Sequence, residues 1–281
     1  MGFESMKPQK KSLRGDVPVL RLVTSNFSAG CLPKIAIVIP AYNEEKNIES
    51  VLAEVHKVKQ SHPNWVLLPI VVNDGSTDNT EKVLDQIESR YGAHAITLPL
   101  NLGIGRAVQT GFRYAVRLGA DVTLQLDGDG QHPAEQIPAI VEPVLSGNAD
   151  MIVGSRYAAS AGGNVSTSLR QAGTWLFSMV LRLLVGIRVT DATSGFRAFN
   201  HECADFISKH YPDDYPEVET YVILTRSKFK ISEVPVTMRP RRGGASSITP
   251  IRSVYYMIKV MFATAIDMIR PIPPRKNAGS R

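Results

Sequence analysis

Val122-Thr123-Leu124-Gln125-Leu126-Asp127-Gly128-Asp129-Gly130-Gln131-His132-Pro133 is the stretch that decides the fold. Val122–Leu126 predicts a buried strand, and the acidic, glycine-rich residues after it predict a loop at the strand's carboxyl end. Asp127 and Asp129, two positions apart in such a loop, can turn toward one point. Hard divalent cations take oxygen ligands, and a cation held there can bridge a diphosphate. Gln131 can add a neutral oxygen, and the glycines let backbone approach phosphate closely. The plainer alternative is an acidic turn, since Asp and Gly are favoured turn residues. A calcium EF-hand loop does not fit, because its sixth and twelfth positions would be His132 and Pro138 rather than Gly and Glu.

Outward from this stretch, short apolar runs alternate with helical spacing. Ile35–Ile39, Val66–Val72, Ala95–Leu98 and Met151–Val153 read as further strands. Helices are predicted over Glu44–Lys59, after Ser76-Thr77-Asp78, over Gly103–Leu118 and over Pro133–Leu145. Trp175–Ile187 is strongly apolar, and Ile231–Met238 alternates as a strand leading into a basic loop. The alternation predicts an α/β fold, a mostly parallel sheet with helices on both faces. Sites in such sheets lie beyond the carboxyl ends of strands, where the candidate residues fall.

Two more loops follow strands: Ile39-Pro40-Ala41-Tyr42-Asn43-Glu44-Glu45 and Val72-Asn73-Asp74-Gly75-Ser76-Thr77-Asp78. A nucleoside needs an apolar slot for its base and acceptors for base N–H and ribose hydroxyls. Tyr42, Glu44 and Asp74 could supply these; each loop reads equally well as a helix start, with acids near the helix dipole and Ser76 or Asp78 as caps. Gly103-Ile104-Gly105-Arg106-Ala107-Val108 is half a dinucleotide fingerprint whose third position is Val108, so a dinucleotide cofactor is not expected.

In one order the chain carries Pro40-Ala41-Tyr42-Asn43-Glu44, Asn73-Asp74-Gly75-Ser76-Thr77-Asp78, Asn101-Leu102-Gly103-Ile104-Gly105, Asp127 to Pro133, Gly154-Ser155-Arg156 and Asp191-Ala192-Thr193-Ser194-Gly195-Phe196-Arg197. Over roughly residues 34–250 this set resembles family 2 inverting glycosyltransferases of GT-A fold, within them the dolichol-phosphate mannose synthase and bacterial polyprenyl-phosphate branch. The resemblance implies that Pro40, Tyr42, Glu44 and Asp74 contact the nucleoside of a nucleotide-sugar donor. It implies that Asp127, Asp129 and Gln131 hold Mg²⁺ or Mn²⁺, and that Arg241 meets the donor diphosphate. The implied acceptor is a polyprenyl phosphate. Asn73 stands where the family often has an acid, Gly244-Ala245-Ser246-Ser247 lacks the family's lysine, and the Gln-x-x-Arg-Trp motif of processive members is absent, which favours transfer of a single sugar.

On the acceptor side, Arg156 follows a strand, Arg170 begins the long apolar segment and Thr174 lies one turn on. Arginines suit a phosphate, with surface positions over a buried helix as the alternative. Asp191 and Arg197 read as a loop brace or as catalytic groups. Glu217 or Glu219 could be the general base for an alcohol acceptor, while a phosphate acceptor is already ionised near neutral pH. Transfer to a sugar or protein hydroxyl, and a non-catalytic nucleotide-sugar-binding or membrane-scaffold protein, are the other readings.

The net charge of +6 is uneven: residues 1–34 are net +4, residues 239–281 net +8 and the middle net −6. A basic terminal region on an acidic body implies a local anionic partner. Trp175, Tyr255 and Tyr256 near basic residues read as core or interfacial aromatics, so no nucleic-acid partner is expected. Two distant cysteines, Cys31 and Cys203, imply a reducing compartment. Residues 1–33 read as a flexible arm without a signal peptide's apolar core, and residues 34–250 as the catalytic domain. Residues 251–281 read as an amphipathic, basic segment: Val254, Met257, Ile258, Met261, Phe262, Ala265 and Ile269 recur at helical spacing. That pattern suits an interfacial helix on the cytoplasmic face of an anionic membrane, or one packed on the core. A small membrane-protein partner is the further expectation from the resemblance; the sequence specifies no oligomeric state.

Overall fold

The structure, a computed structural model, describes residues 31–158, 168–212, 216–239, 259, 262, 266, 268–271 and 275. Seven strands form one sheet: β1 (Lys34–Ala41), β2 (Val66–Asn73), β3 (His94–Thr97), β4 (Val122–Gln125), β5 (Met151–Ser155), β6 (Arg197–Asn200) and β7 (Ile231–Pro235), in the order β3-β2-β1-β4-β6-β5-β7. β1 is parallel to both β2 and β4. β6 runs antiparallel to β4 and β5, so the sheet is mixed around a parallel core.

Successive side chains of the buried strand β1 enter opposite cores, which sets the layers. Ala36 and Val38 face one core, with Phe112 of α3 (Ile104–Arg117), Phe177 and Leu181 of α5 (Ser168–Val185), Cys203 of α6 (His201–His210) and Tyr221 of α7 (Pro216–Arg226). Ile35, Ile37 and Ile39 face the other, with Val51 and Leu52 of α1 (Ile48–Ser61), Leu84 of α2 (Thr80–Tyr91) and Ile140 and Val141 of α4 (Ile137–Leu145). Helices therefore cover both faces, as two-sided burial of a parallel sheet requires.

The first helix begins later than its apolar spacing predicts. Glu44 to Asn47 form a turn instead, with the Asn47 and Ile48 amides both donating to the Glu44 carbonyl at 3.0 Å. The cap of the second helix is Asn79, whose side chain makes no capping bond; Asp78, one residue earlier, accepts Thr80 N on its Oδ1 at 2.9 Å and so orders the approach to the helix instead. β6 and α7 carry no strong period in the sequence: all four β6 residues and most of α7 are inward or partly inward, so no polar face alternates with an apolar one.

The described residues of the C-terminal segment dock on the domain. Met268 packs against the first core, and Arg226 Nη1 donates to the Arg270 carbonyl at 2.9 Å. Arg275 forks Asp150 at 3.0 and 3.1 Å and Glu202 at 2.8 and 2.6 Å, with its guanidinium 4.5 Å from the Phe229 ring centre. Burial alone would raise the Asp150 carboxyl. The Lys230 amide, Arg275 and Asn200 more than reverse that and hold it below its ordinary 3.8.

Arg275→Ala leaves Asp150 buried beside Glu202 and lowers unfolding free energy at pH 7 by roughly 3 kcal/mol, the scale of a broken buried pair. Because the Asp150 pKa is depressed in the folded state, its contribution is full above the unfolded value of 3.8 and is lost as pH falls through the lower folded value. Urea unfolding of both proteins from pH 7 to pH 3 checks this: the gap narrows only at the acid end.

Candidate active site

β1 ends where the strand order turns back, with β2 and β3 on one side and β4 on the other. The loops after β1 and β4 therefore flank a topological switch point, where open α/β sheets bind ligands. They touch: a Cβ on Gly128 would lie 2.9 Å from the Pro40 carbonyl oxygen. No side chain other than glycine's fits there without shifting backbone.

The loops after β1 and β2 are sewn together. Asn43 has φ 56°, a left-handed conformation that asparagine tolerates better than most residues. Its Oδ1 accepts Thr77 N at 2.8 Å, and its own amide donates to Ser76 Oγ at 2.9 Å. Glu44 N donates to Thr80 Oγ1 at 2.9 Å, and Glu45 N to Asp78 Oδ2 at 3.2 Å. Of the expected nucleoside contacts, Pro40 is half-buried in β1 and Tyr42 is 45% exposed on the loop. The Glu44 carboxylate accepts Asn47 Nδ2 at 2.7 Å. Asp74 is buried, and its two oxygens accept Leu102 N at 2.8 Å and Gly103 N at 2.9 Å, tying down the entry to α3.

At the end of β4, Asp127 and Asp129 lie on one short loop, with Asp129 Oδ1 accepting Gln131 N at 3.0 Å. The Asp127 side chain is 29% exposed, with the buried His132 Nδ1 3.3 Å from its Oδ2. Burial pushes the Asp127 carboxyl up, the neighbouring His132 opposes, and the Asp129 charge pushes it further. A divalent cation would relieve this like-charge crowding. Among the described residues no group of three or more His, Cys, Asp or Glu side chains is arranged to hold a metal ion. Two carboxylates and an amide oxygen, completed by water and diphosphate oxygens, are nevertheless the set that Mg²⁺ or Mn²⁺ takes beside a phosphate substrate.

Gly195 is not among the charged and polar residues that the sequence offers for the site. A Cβ there would stand 3.1 and 3.3 Å from the two Asp127 oxygens, so the turn before β6 presses its backbone on that carboxylate. The signal was present as a glycine between Asp191 and Arg197. Arg197 is buried, donating to the carbonyls of Ser194 at 2.7 Å and Glu217 at 2.9 Å and lying 5.0 Å from the Tyr221 ring centre.

Arg156 forks Asp191 through Nε and Nη2 at 2.6 and 2.7 Å and reaches Thr193 Oγ1 at 2.8 Å. It braces the turn that carries Gly195. Glu217 and Glu219 lie in the first turn of α7, Glu219 buried and Glu217 half-buried. Burial pushes the Glu217 carboxyl up; Arg197 pulls it partly back, and Asp127 adds to the rise. Arg170 and Thr174 fall within α5, but their side chains lie outside the described residues, as does Arg241 altogether.

Residues 36–206 match the profile of Glycosyl transferase family 2, and the chain belongs to that family. It is 32% identical over 217 residues to a UDP-N-acetylglucosamine–dolichyl-phosphate N-acetylglucosaminyltransferase of Methanococcus voltae, covering 72% of this chain and 84% of that protein. It is 31% identical over 226 residues to an undecaprenyl-phosphate mannosyltransferase of Micrococcus luteus, covering 77% and 88%. Glucosyl-3-phosphoglycerate synthase of Mycobacterium tuberculosis, solved with Mn²⁺ and uridine diphosphate, superposes with a TM-score of 0.61 at 22% identity, covering 86% of this chain and 81% of that one. The fold is GT-A, and the protein is a glycosyltransferase.

If Arg156 is the brace described, Arg156→Met strands Asp191, which is fully buried, and costs roughly 3 kcal/mol. Chemical denaturation measures it, and a loss under about 0.5 kcal/mol, the scale of an exposed site, contradicts the brace.

Proposed function

We propose that this enzyme transfers one sugar from a UDP- or GDP-linked donor to a polyprenyl phosphate, inverting the anomeric carbon, with Mg²⁺ or Mn²⁺ bound at Asp127, Asp129 and Gln131. The product would be a lipid-linked sugar for glycan or glycoconjugate synthesis. The observation that carries this is the paired carboxylates on the short loop after β4, in the switch-point crevice beside Pro40, where burial and then the Asp129 charge push the Asp127 carboxyl up. The named activities of the relatives in Methanococcus voltae and Micrococcus luteus support the acceptor class.

A bound cation supplies charge neutralisation on the nucleoside diphosphate as it departs. Tyr42 offers an aromatic face for the base, and Pro40, Glu44 and the polar groups around Asp74 bound its slot. Arg241, two residues beyond Arg239, would share the diphosphate charge. Arg156, Arg170 and Thr174 form the acceptor-phosphate side; with Nε and Nη2 of Arg156 held by Asp191 and Thr193, a phosphate would meet its Nη1. An ionised lipid phosphate needs no base, so catalysis rests on positioning and leaving-group stabilisation. The raised Glu217 carboxyl favours a second reading, transfer to a hydroxyl with Glu217 as base.

A polyprenyl phosphate keeps its tail in the bilayer, so the site must reach the headgroups. Among the described residues no helix is long and apolar enough to cross a membrane. Exposed apolar side chains stand at helical spacing: Trp175, Met179 and Leu183 on α5, and Phe262, Ile266 and Ile269 in the C-terminal segment. We assign these to reversible, peripheral contact with an anionic membrane on its cytoplasmic face, with a small membrane-protein partner as an additional anchor.

Asp129→Ala lowers turnover by more than about a hundredfold, beyond the typical loss from an outer-shell partner, while melting shifts little. Excess EDTA silences the native enzyme. Full activity in either case sinks the metal assignment, and preference for a sugar alcohol over polyprenyl phosphate in the same assay selects the Glu217 reading.

Since Trp175, Phe262 and Ile266 are mostly exposed, changing all three to Ser should spare the fold. Losing roughly 1 kcal/mol each should weaken pelleting with anionic vesicles about a hundredfold. Unchanged pelleting of the triple variant, or none by the native chain at low salt, removes the membrane assignment.

A further inference from the structure

Arg239 lies just past β7, and its backbone N–H donates to the Gln131 carbonyl at 2.9 Å. Its guanidinium is fastened elsewhere: Nη1 donates to Glu54 Oε1 on α1 at 2.5 Å, and Nη2 reaches Glu135 Oε2 at 3.3 Å. The other Glu54 oxygen stands 3.5 Å from Ala134 N. Two residues earlier, Thr237 N donates to Gln136 Oε1 at 2.9 Å and Gln136 Nε2 returns a bond to the Thr237 carbonyl at 3.0 Å. Beneath them Val236 is buried, and a Cβ on Gly154 would come within 2.9 Å of its Cγ1. Residues 236–239 thus form a short stay from the sheet to the far end of the Asp127–Gln131 loop.

The stay reaches the carboxylates through two hydrogen bonds. Arg239 N holds the Gln131 carbonyl, and Gln131 N holds Asp129 Oδ1. A loop rich in glycine has little stiffness of its own, so its geometry depends on what it is tied to. Arg239 and Glu54 are 29% and 23% exposed, so water screens them less than a surface pair.

We propose that Arg239 is a positioning residue: fastened to Glu54, it fixes Gln131, and through it Asp129, in the geometry that accepts the divalent cation. This rests on the metal assignment made above. Glu54 is its partner, and the contact to Gln131 is made by backbone, so what a side-chain variant at 239 loses is the fixing of that contact.

The test is Mn²⁺ binding to the full chain, read by electron paramagnetic resonance with UDP or GDP present, for Arg239→Met, Glu54→Gln and the charge exchange Glu54→Arg/Arg239→Glu. Each single variant should bind Mn²⁺ about tenfold more weakly and need about tenfold more Mn²⁺ for half-maximal turnover. The exchange should recover at least half of that loss on a logarithmic scale. Native-like Mn²⁺ affinity in both single variants overturns the inference, as does a loss that the exchange leaves untouched while melting temperatures stay native. A native protein that binds no Mn²⁺ and turns over in EDTA overturns the metal assignment, and the inference with it. Native binding beside unaffected variants overturns the inference alone.

Discussion

β1 is hydrogen-bonded to parallel strands on both sides, and most of it is sealed from water on both faces. That placement brings the loops after β1, β2 and β4 out at one edge of the sheet. Gly128 then meets the Pro40 carbonyl so closely that a methyl group would not fit, which sets the distance between the loop after β1 and the acidic loop. The strained Asn43 conformation, worth on the order of 1 kcal/mol, is offset by its hydrogen bonds to Ser76 and Thr77. Strand packing thus fixes the edge, and side-chain stitching fixes the loops upon it.

The reversed strand supplies what a wholly parallel sheet would not. Arg197 stands opposite Gln125 of β4 and Val153 of β5. Because β6 enters from the carboxyl end of its neighbours, the turn before it, residues 191–196, arrives over the Asp127 carboxylate. Arg156, leaving β5 at that same end, forks Asp191 and pins the turn. Buried ion pairs are weak sources of net stability, because desolvation offsets attraction. Here the pair specifies a place: backbone at Gly195 against an acid that burial and Asp129 already push up.

Much of this edge was legible in the sequence because apolar runs and turn chemistry are local signals. Ile35–Ile39 and Val122–Leu126 announced their strands, and the acids after them lie in the loops at this edge. What stayed hidden was long-range. Nothing local says that Asp191, 35 residues on, forks Arg156, which makes that arginine a brace beside whatever it offers a phosphate. Equally long-range are the Leu102 and Gly103 amides that donate to the two Asp74 oxygens. β6 was hidden because a four-residue buried strand has no alternation to detect. Sequence offers the residue types; partners across the sheet decide whether a charge faces a ligand or a brace.

The basic C-terminal region shows the same division. Residues 239–281 carry a net charge of +8 in the sequence, which reads as a strong electrostatic footprint. Two of its arginines are already matched inside the fold, Arg239 by Glu54 and Glu135 and Arg275 by Asp150 and Glu202. A charge neutralised by a protein carboxylate adds little attraction to an anionic surface, where each unmatched cation is worth about 1 kcal/mol. The membrane contact proposed above therefore leans on the exposed apolar side chains of α5 and the C-terminal segment more than the charge count suggests. A contact held mainly by apolar area weakens only partly in salt, whereas one held by charge falls away within a Debye length of about 10 Å at 0.1 M. Arg275 anchors the segment to the domain and Phe262, Ile266 and Ile269 face outward. Those described residues then belong to the folded surface, so a surface that met them would not have to pay the ordering entropy of a free tail.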